Sequence, residues 1–398
     1  MKTITLIWGY THKNAGDLAM TLGAIDLLPK CALKLQIFSL FHEKTPEFFY
    51  SKKYLLERYP DAKLDIFGSP FYINKNEKNL FKKLFDYLNI ITILLNIKKI
   101  HKFRNKLLES QVILFNGGNM FRCITLKDAF RMFCVFFPIK IGLKKKIPCF
   151  ILPQSSASIN KIGETFLRSF IYKINKIYFR EHLSFESFNK IFGLKNAMVC
   201  MDLAFFINKN NYNISNQSIK RHIAFTIRSR TIGDSMLLSQ DKLDYLEKIF
   251  YSTIEQLSTN NKITIVVQVP VDKDFSIKIK SMFSDKISFL EETDPVNLLN
   301  FYNSIDLLIG MRLHSMILAM SVGTPCYGLF FKEWGNKVPG ILEMLNVPYL
   351  ELDSYPQIDF KEIDNLVNSK KQINKTLLDF IEKNRRNLAN EINNCLKI

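Results

Sequence analysis

The chain has 398 residues, 47% of them hydrophobic, and a formal net charge of +18. At about 150 residues per domain this is enough for two domains with ordinary cores. No apolar run approaches the ~20 residues of a membrane-spanning helix, and the seven scattered cysteines form no CxxC pair or Cys/His cluster at metal spacing, so no metal site is expected.

The charge comes with no zinc finger, basic zipper or RNA-binding signature, which argues against a nucleic-acid partner. Part of it reflects the joint enrichment of Lys, Ile, Asn and Phe that a low-GC coding sequence produces. The rest favours a small acidic substrate or an anionic membrane surface. Met1-Lys-Thr-Ile-Thr-Leu-Ile-Trp-Gly9 goes directly into a strand pattern and lacks the apolar core and cleavage site of a signal peptide. The expected location is the cytoplasm, with a peripheral position at the inner membrane face as a variant.

Thr3 to Trp8 is a strand. It runs into the polar, glycine-containing loop Gly9-Tyr-Thr-His-Lys-Asn-Ala-Gly-Asp17 and a helix from about Leu18 to Leu28, stopped at Pro29. Asp17 is placed to cap that helix. Cys31 to Phe41 and Asp65 to Phe67 read as strands. Asn79 to Leu108 reads as a long helical stretch. Its apolar centre, Leu88 to Ile97, is flanked by Lys82, Lys83, Lys98, Lys99, Lys102, Arg104 and Lys106. That centre is too short to span a bilayer. A helix packed on the sheet with a solvated basic face is the simpler account, and a helix lying in a membrane interface is the other.

Val112 to Phe115 is a strand leading into Asn116-Gly-Gly-Asn119, where Gly117 and Gly118 would let the backbone approach a ligand closely. Pro148 to Pro153 is a strand ending in Gln154-Ser-Ser. Lys176 to Arg180 is a strand before a helix, and Met198 to Met201 leads into Asp202-Leu-Ala-Phe205. The Asn- and Ser-rich segment from Asn208 to Arg221 reads as a linker between domains 1–208 and 222–398.

The second half opens with a strand, His222 to Ile227, followed by Arg228-Ser-Arg230. A helix (Asp241 to Thr259), a strand (Ile263 to Gln268), a helix (Ser276 to Phe283) and a strand (Ile287 to Leu290) follow, and Thr293-Asp-Pro-Val begins another helix. Ile305, Leu307, Leu308 and Ile309 form the short apolar run of a strand buried on both faces. Gly310 breaks it, Ser315 to Val322 is helical, and Gly323-Thr-Pro325 stops the helix. Arg312 and His314 therefore sit where a strand hands over to a helix N-terminus, the end of a parallel sheet at which open α/β folds bind ligands. Cys326 to Phe331 is the next strand, Gly340 to Leu345 a short helix, and Lys371 to Leu396 a charged amphipathic helix expected to pack back across the domain junction.

Gly310-Met-Arg-Leu-His-Ser, followed by Ala319-Met-Ser-Val-Gly-Thr-Pro325, resembles the polysaccharide pyruvyl transferases. Collinear agreement extends through Asn14-x-Gly-Asp17, the Gly117-Gly118 pair, Pro153-Gln-Ser155, Arg180-Glu181 and Asp202-x-Ala-Phe205. Three positions depart from the family pattern: Asn119 and Arg122, where members often carry a third Gly and an acidic residue, and Glu181 in place of the usual Asp. The resemblance implies an α/β fold of two Rossmann-like domains facing across a cleft, as in GT-B glycosyltransferases. The acceptor side would be 1–208 and the donor side 222–398. It implies no cofactor but phosphoenolpyruvate as co-substrate, and a glycan or lipid-linked oligosaccharide as acceptor. The product would be a cyclic pyruvate ketal, with phosphate released.

The residues suit that chemistry. The donor is an enol ether bearing a phosphate and a carboxylate, and it needs fixed cations and an acid to protonate its methylene carbon. Arg312 would bind an anionic group through its planar fork, and His314 would be the acid. Ser315, Lys337, Gly117 and Gly118 join them as donor-side candidates, with Arg180, Arg228 and Arg230, which all end strands, ranked lower as anion contacts. Asn14, Asp17 and Gln154 are the acceptor-side candidates. A GT-B glycosyltransferase using a sugar nucleotide is the alternative reading. A non-catalytic adaptor at a membrane surface is a third, but it leaves the placement of Arg312 and His314 unexplained.

Overall fold

The computed structural model describes residues 2–10, 14–29, 33–72, 80–95, 100–208, 220–231, 236–283, 285–335, 337–368 and 370–396. Most of the expected linker, together with the loop at 11–13 and Lys98 and Lys99, lies outside these residues.

The first half runs β1 (Lys2–Gly9), α1 (Ala15–Asp26), β2 (Leu33–Ser39), α2 (Pro46–Arg58), β3 (Lys63–Phe67), α3 (Leu80–Leu95), α4 (His101–Leu108), β4 (Val112–Phe115), β5 (Gly118–Cys123), α5 (Leu126–Lys144), β6 (Cys149–Ile159), α6 (Lys161–Arg168), β7 (Lys176–Phe179), α7 (His182–Phe192) and β8 (Ala197–Val199). Its strands form one parallel sheet in the order β3-β2-β1-β4-β6-β7-β8, with β5 paired to β6. The second half runs β9 (His222–Thr226), α8 (Gln240–Ser258), β10 (Lys262–Val267), α9 (Lys273–Ser281), β11 (Ser288–Glu291), α10 (Pro295–Asn303), β12 (Leu307–Gly310), α11 (Leu313–Ser321), β13 (Cys326–Phe330), α12 (Lys337–Met344), β14 (Tyr349–Glu351), α13 (Phe360–Asn368) and α14 (Lys370–Leu396). Its sheet is also parallel, in the order β11-β10-β9-β12-β13-β14. In both sheets the strand order reverses beside the first strand, between β1 and β4 and between β9 and β12. Each reversal opens a crevice at the carboxyl ends of the strands. β4, β9, β12 and β13 are buried along their whole length, as expected of strands covered on both faces, although β9 carries His222 and Thr226 at its ends.

Several elements differ from what local pattern suggests. The long helix read over Asn79 to Leu108 is two helices, α3 and α4. Two further helices, α2 and α5, are absent from the elements expected from sequence. α2 is capped by the Thr45 side chain with Pro46 in its first turn. α5 has a reciprocal Thr125–Asp128 capping box but contains Pro138 and a run of Phe that blurs the helical period. β6 continues through Gln154-Ser-Ser to Ile159 because β5 lies alongside it and supplies hydrogen-bond partners. At the end of β1 the pairing with β2 shifts between Ile7 and Gly9, and Trp8 adopts φ 69°, a left-handed conformation unfavourable for a bulky residue. Its buried indole holds it there by donating from Nε1 to the Val135 carbonyl at 2.8 Å.

The two halves are joined by the last helix. On α14, Ile381, Leu388, Ile392 and Leu396 are buried. Glu391 accepts a hydrogen bond from the Tyr178 hydroxyl, Arg385 donates to the Asp26 carbonyl at 3.1 Å, and the Leu396 carbonyl accepts from Lys2 Nζ. Truncating the fully buried Ile392 to Ala should lower stability by about 2–5 kcal/mol through lost transfer energy and a residual cavity. Denaturant unfolding measures this, and an unchanged midpoint would show that α14 is not docked on the rest of the chain.

Candidate active site

The site forms where the carboxyl edges of the two sheets meet. β12 ends at Gly310, where a Cβ would lie 2.8 Å from Met316 Cγ, so the strand can turn directly under the following helix. Arg312 is the extended N-cap residue of α11, and its carbonyl accepts from the Ser315 and Met316 N–H groups at 3.1 and 3.3 Å. His314 lies in the first turn. Opposite it is the start of α1, where Asn14 Oδ1 caps the helix by accepting from the Gly16 and Asp17 N–H groups at 3.1 and 3.3 Å. The His314 ring rests on Gly16: a Cβ there would fall 2.2 Å from His314 Nδ1. Two helix N-termini, each with a partial positive charge, thus converge on one imidazole.

Behind the imidazole lies a buried charge network. His314 Nε2 is 3.8 Å from Asp202 Oδ2, beyond hydrogen-bond reach, and it is buried without a hydrogen-bond partner among the described residues. Asp202 Oδ2 also accepts from Arg180 NH1 at 2.7 Å, and Oδ1 accepts from the Ala204 N–H at 2.9 Å, capping the 3-10 turn Leu203–Phe206. Burial alone would raise the Asp202 carboxyl, but Arg180, His314 and the Ala204 N–H outweigh it and hold it well below the usual carboxylate range. Arg180 is itself buried and donates from Nε to Ser155 Oγ at 2.7 Å.

Asp17 accepts from Asn14 Nδ2 at 2.9 Å. Burial pushes its carboxyl up and Asp202 adds to this, against the lowering fields of His314, Lys337 and Arg180. Lys337, the first residue of α12, is pushed down to about 8, first by burial and then by Arg180, Arg228 and Arg312, against the field of Asp17. Arg228 stacks over the Trp334 ring at 4.5 Å and donates to the Thr231 carbonyl at 2.7 Å. Opposed charges in a shared, desolvated space with shifted protonation equilibria are the pattern of a functional site.

Asn14, Asp17, Arg180, Arg312, His314 and Lys337, expected from sequence, come together here. Some of their expected roles change. Asn14, not Asp17, is the cap of α1. Arg312 presents Nε and NH2 to Asp272, at 2.7 and 2.6 Å, so this edge of its fork is committed to a protein carboxylate rather than open to a donor anion. Other candidates are withdrawn from ligand contact. Gln154 is fully buried, its amide bonded to the Met120 N–H and the Asn116 carbonyl. Ser315 is fully buried and its N–H is bonded to Arg312.

The glycine pair makes room for protein atoms, not for a ligand. A Cβ on Gly117 would meet the Pro153 carbonyl at 2.9 Å. Gly118 has φ +142°, and a Cβ there would meet the Tyr10 hydroxyl at 2.6 Å. Arg230 lies at the margin, donating to the Val271 carbonyl at 3.3 Å. Four residues at the site were not singled out as site residues from sequence. Asp202 carried a motif signal but no role. Gly16 was visible only as the glycine of Asn-x-Gly-Asp. Asp272 and Tyr10 had no local signal.

Two parallel sheets with the strand order of Rossmann folds, meeting through their carboxyl edges, define a GT-B-like α/β protein. Within that class the chain belongs to the polysaccharide pyruvyl transferase family, whose sequence pattern matches residues 14–329. It is similar to the amylovoran biosynthesis protein AmsJ of Erwinia amylovora, at 22% identity over an aligned length of 417 residues that covers 96% of each chain. Among solved structures it resembles a glycosyltransferase from Rickettsia africae ESF-5 (TM-score 0.60, 13% identity, 100% of this chain and 99% of that one). It also resembles the UDP-GlcNAc 2-epimerase of Neisseria meningitidis bound to UDP-GlcNAc (TM-score 0.54, 11% identity, 98% and 99%). These two likenesses establish the shared fold.

The contact between Gly16 and His314 makes a sharp test. Ala is the better helix former by up to about 1 kcal/mol, so Gly16→Ala should stabilise an unobstructed helix. Instead it should destabilise the protein by about 1–3 kcal/mol through overpacking and displace the imidazole. Thermal unfolding and the ring resonances of His314 report both effects. A variant as stable as the parent with an unmoved ring would show that the two halves do not close on this residue.

Proposed function

We propose that the protein transfers the pyruvyl group of phosphoenolpyruvate to two hydroxyls of one sugar in a surface polysaccharide or its lipid-linked precursor. The observation that carries this reading is an imidazole held between two helix N-termini, which shares the carboxylate of Asp17 with a lysine of lowered pKa. Family membership and the likeness to a polysaccharide biosynthesis protein support it.

In this reaction His314 delivers a proton to the methylene carbon of the donor, which becomes the methyl group of the ketal. The adjacent carbon becomes oxocarbenium-like, and one acceptor hydroxyl adds to it and loses its proton. The second hydroxyl then bonds to the same carbon and gives its proton to the departing phosphate, while the carbon–oxygen bond to phosphate breaks and its electron pair leaves with phosphate. Lys337 binds an anionic group of the donor, with Arg180, Arg228 and Arg312 adding to the positive field. Arg312 acts as a cation fixed in place by Asp272 rather than as an open fork. Asp17, its carboxyl raised and half-buried beside the imidazole, accepts the hydrogen bond of an attacking hydroxyl.

The second reading, a glycosyltransferase using a sugar nucleotide, draws on the fold it shares with a structure bound to UDP-GlcNAc. Thermal stabilisation by phosphoenolpyruvate and not by nucleotide sugars supports the first reading, and the reverse result supports the second.

His314→Asn should lower phosphate release by about a hundred- to ten-thousand-fold, the usual contribution of general acid catalysis. Calorimetric affinity for phosphoenolpyruvate should fall much less. Turnover at the parent rate would remove His314 from the role.

Lys337 gives a pH signature. It is a cation below about 8, so donor affinity in the free protein should be retained on the acid side and lost as pH rises through that value. Lys337→Met should bind more weakly and lose this dependence. A parent profile that stays flat between about pH 7 and about pH 9 would show that Lys337 does not hold the donor.

A further inference from the structure

The outer surface of the first half carries a feature that the reaction does not use. α3 is apolar on two sides. Ile90 and Ile93 are buried against the domain, while Leu88, Ile91 and Leu95 on the outer side are 52%, 41% and 82% exposed. From Tyr87 to Leu95 the helix has no charged residue. At the start of α5, Ile124 and Leu126 are 52% and 75% exposed. The Tyr87 and Phe130 rings touch, with centroids 5.6 Å apart. Ile91 is one turn beyond Tyr87 and Leu126 one turn before Phe130, so this contact makes the two exposed stretches one patch. A helix apolar on both sides calls for a second apolar medium on the outside.

Charge identifies that medium. Residues 80–108 contain seven Lys or Arg and one Asp, within a chain of net charge +18. Lys102 and Lys127 are exposed. An uncharged apolar stripe that the sequence flanks with cations fits the boundary between acyl chains and anionic headgroups. Among the described residues no helix is long and apolar enough to cross a membrane, so the contact lies in the plane of the surface.

We propose that the outer face of α3 and the first turn of α5 seat the protein on an anionic lipid bilayer. The place is suited to it. β5 pairs with the far half of β6, beyond the stretch of β6 that pairs with β4, so α5 begins on the carboxyl-edge side of the sheet. The cleft then opens beside the bilayer, where a lipid-linked substrate would arrive.

The test is cosedimentation of the full-length protein with vesicles, neutral phosphatidylcholine against phosphatidylcholine mixed with phosphatidylglycerol. Retention should be confined to the anionic vesicles and weaken with added salt as the charges are screened. The combined variant Leu88→Glu, Ile91→Glu and Leu95→Glu should bind at least about tenfold more weakly, because it puts charge where apolar surface must insert. Its thermal unfolding should be unchanged, since all three side chains are exposed. If it does unfold early, Leu95→Ser alone should still reduce retention. Equal retention on neutral vesicles, none on either kind, or a variant retained like the parent would overturn the proposal. So would a homodimer in light scattering that the variant dissociates, because a second copy would then cover the face. Binding is read without turnover, so failure here leaves the pyruvyl reading standing, and failure of that reading leaves this one standing.

Discussion

Asp202 is a fully buried carboxylate, and the arrangement of the site follows from the need to keep it charged. An isolated ion in such a position would neutralise itself. Here Arg180 from the end of β7 and the Ala204 N–H hold the charge in place. The same two contacts fix the 3-10 turn Leu203–Phe206, and that turn fixes α1: a Cβ on Gly23 would fall 1.8 Å from the Leu203 carbonyl oxygen. With α1 pinned, Gly16 comes to lie under His314 from the other half. One buried ion pair thus sets the register of a helix, and the helix sets the seat of the candidate acid. Removing one partner of such a pair typically costs about 3–5 kcal/mol, because the other is left charged in an apolar surrounding.

The cations near the imidazole are restrained in different ways. Arg180 answers Asp202, Arg312 answers Asp272, and Arg228 lies on an indole face. Lys337 is held below its ordinary value by burial and by the three guanidinium groups. An anion entering the cleft reverses that balance locally, because its charge favours the ammonium that the arginines disfavour. Lysine is suited to this position and arginine is not, since a guanidinium keeps its proton in any surrounding while a desolvated ammonium can be tuned.

Much of this was legible locally. The apolar run of β12, the break at Gly310 and the Gly-x-Pro stop after α11 place Arg312 and His314 at a strand end without reference to any other part of the chain. What was not legible depends on distant partners. The commitment of Arg312 to Asp272 joins positions 40 residues apart, and the facing of Asp202 and His314 joins different halves. Gln154 and Ser315 occupy motif positions, but their burial is decided by β5 and by the packing under α11, which no local spacing announces. Gly117 and Gly118 were read as openings for a ligand, and Gly16 only as part of a motif, because the sequence shows a missing side chain and not what fills the space. At Gly118 the space is taken by the Tyr10 hydroxyl and at Gly16 by the imidazole.

The departure from family pattern at Glu181 has a physical reading of the same kind. Its fully buried carboxylate caps α7, accepting from the Ser184 N–H at 2.6 Å and from the Ser184 hydroxyl. A shorter Asp can make the same cap. The additional methylene of Glu therefore carries the carboxylate outward, and it meets α12 of the other half at Gly340, where a Cβ would lie 3.1 Å from Glu181 Oε2. Gly340 is in the same helix as Lys337. The substitution thus bears on how closely the helix that presents Lys337 approaches the first half. Gly16 beneath His314 and Gly340 beside Glu181 are two of the places where the halves meet, and at both the contact is close because a side chain is missing.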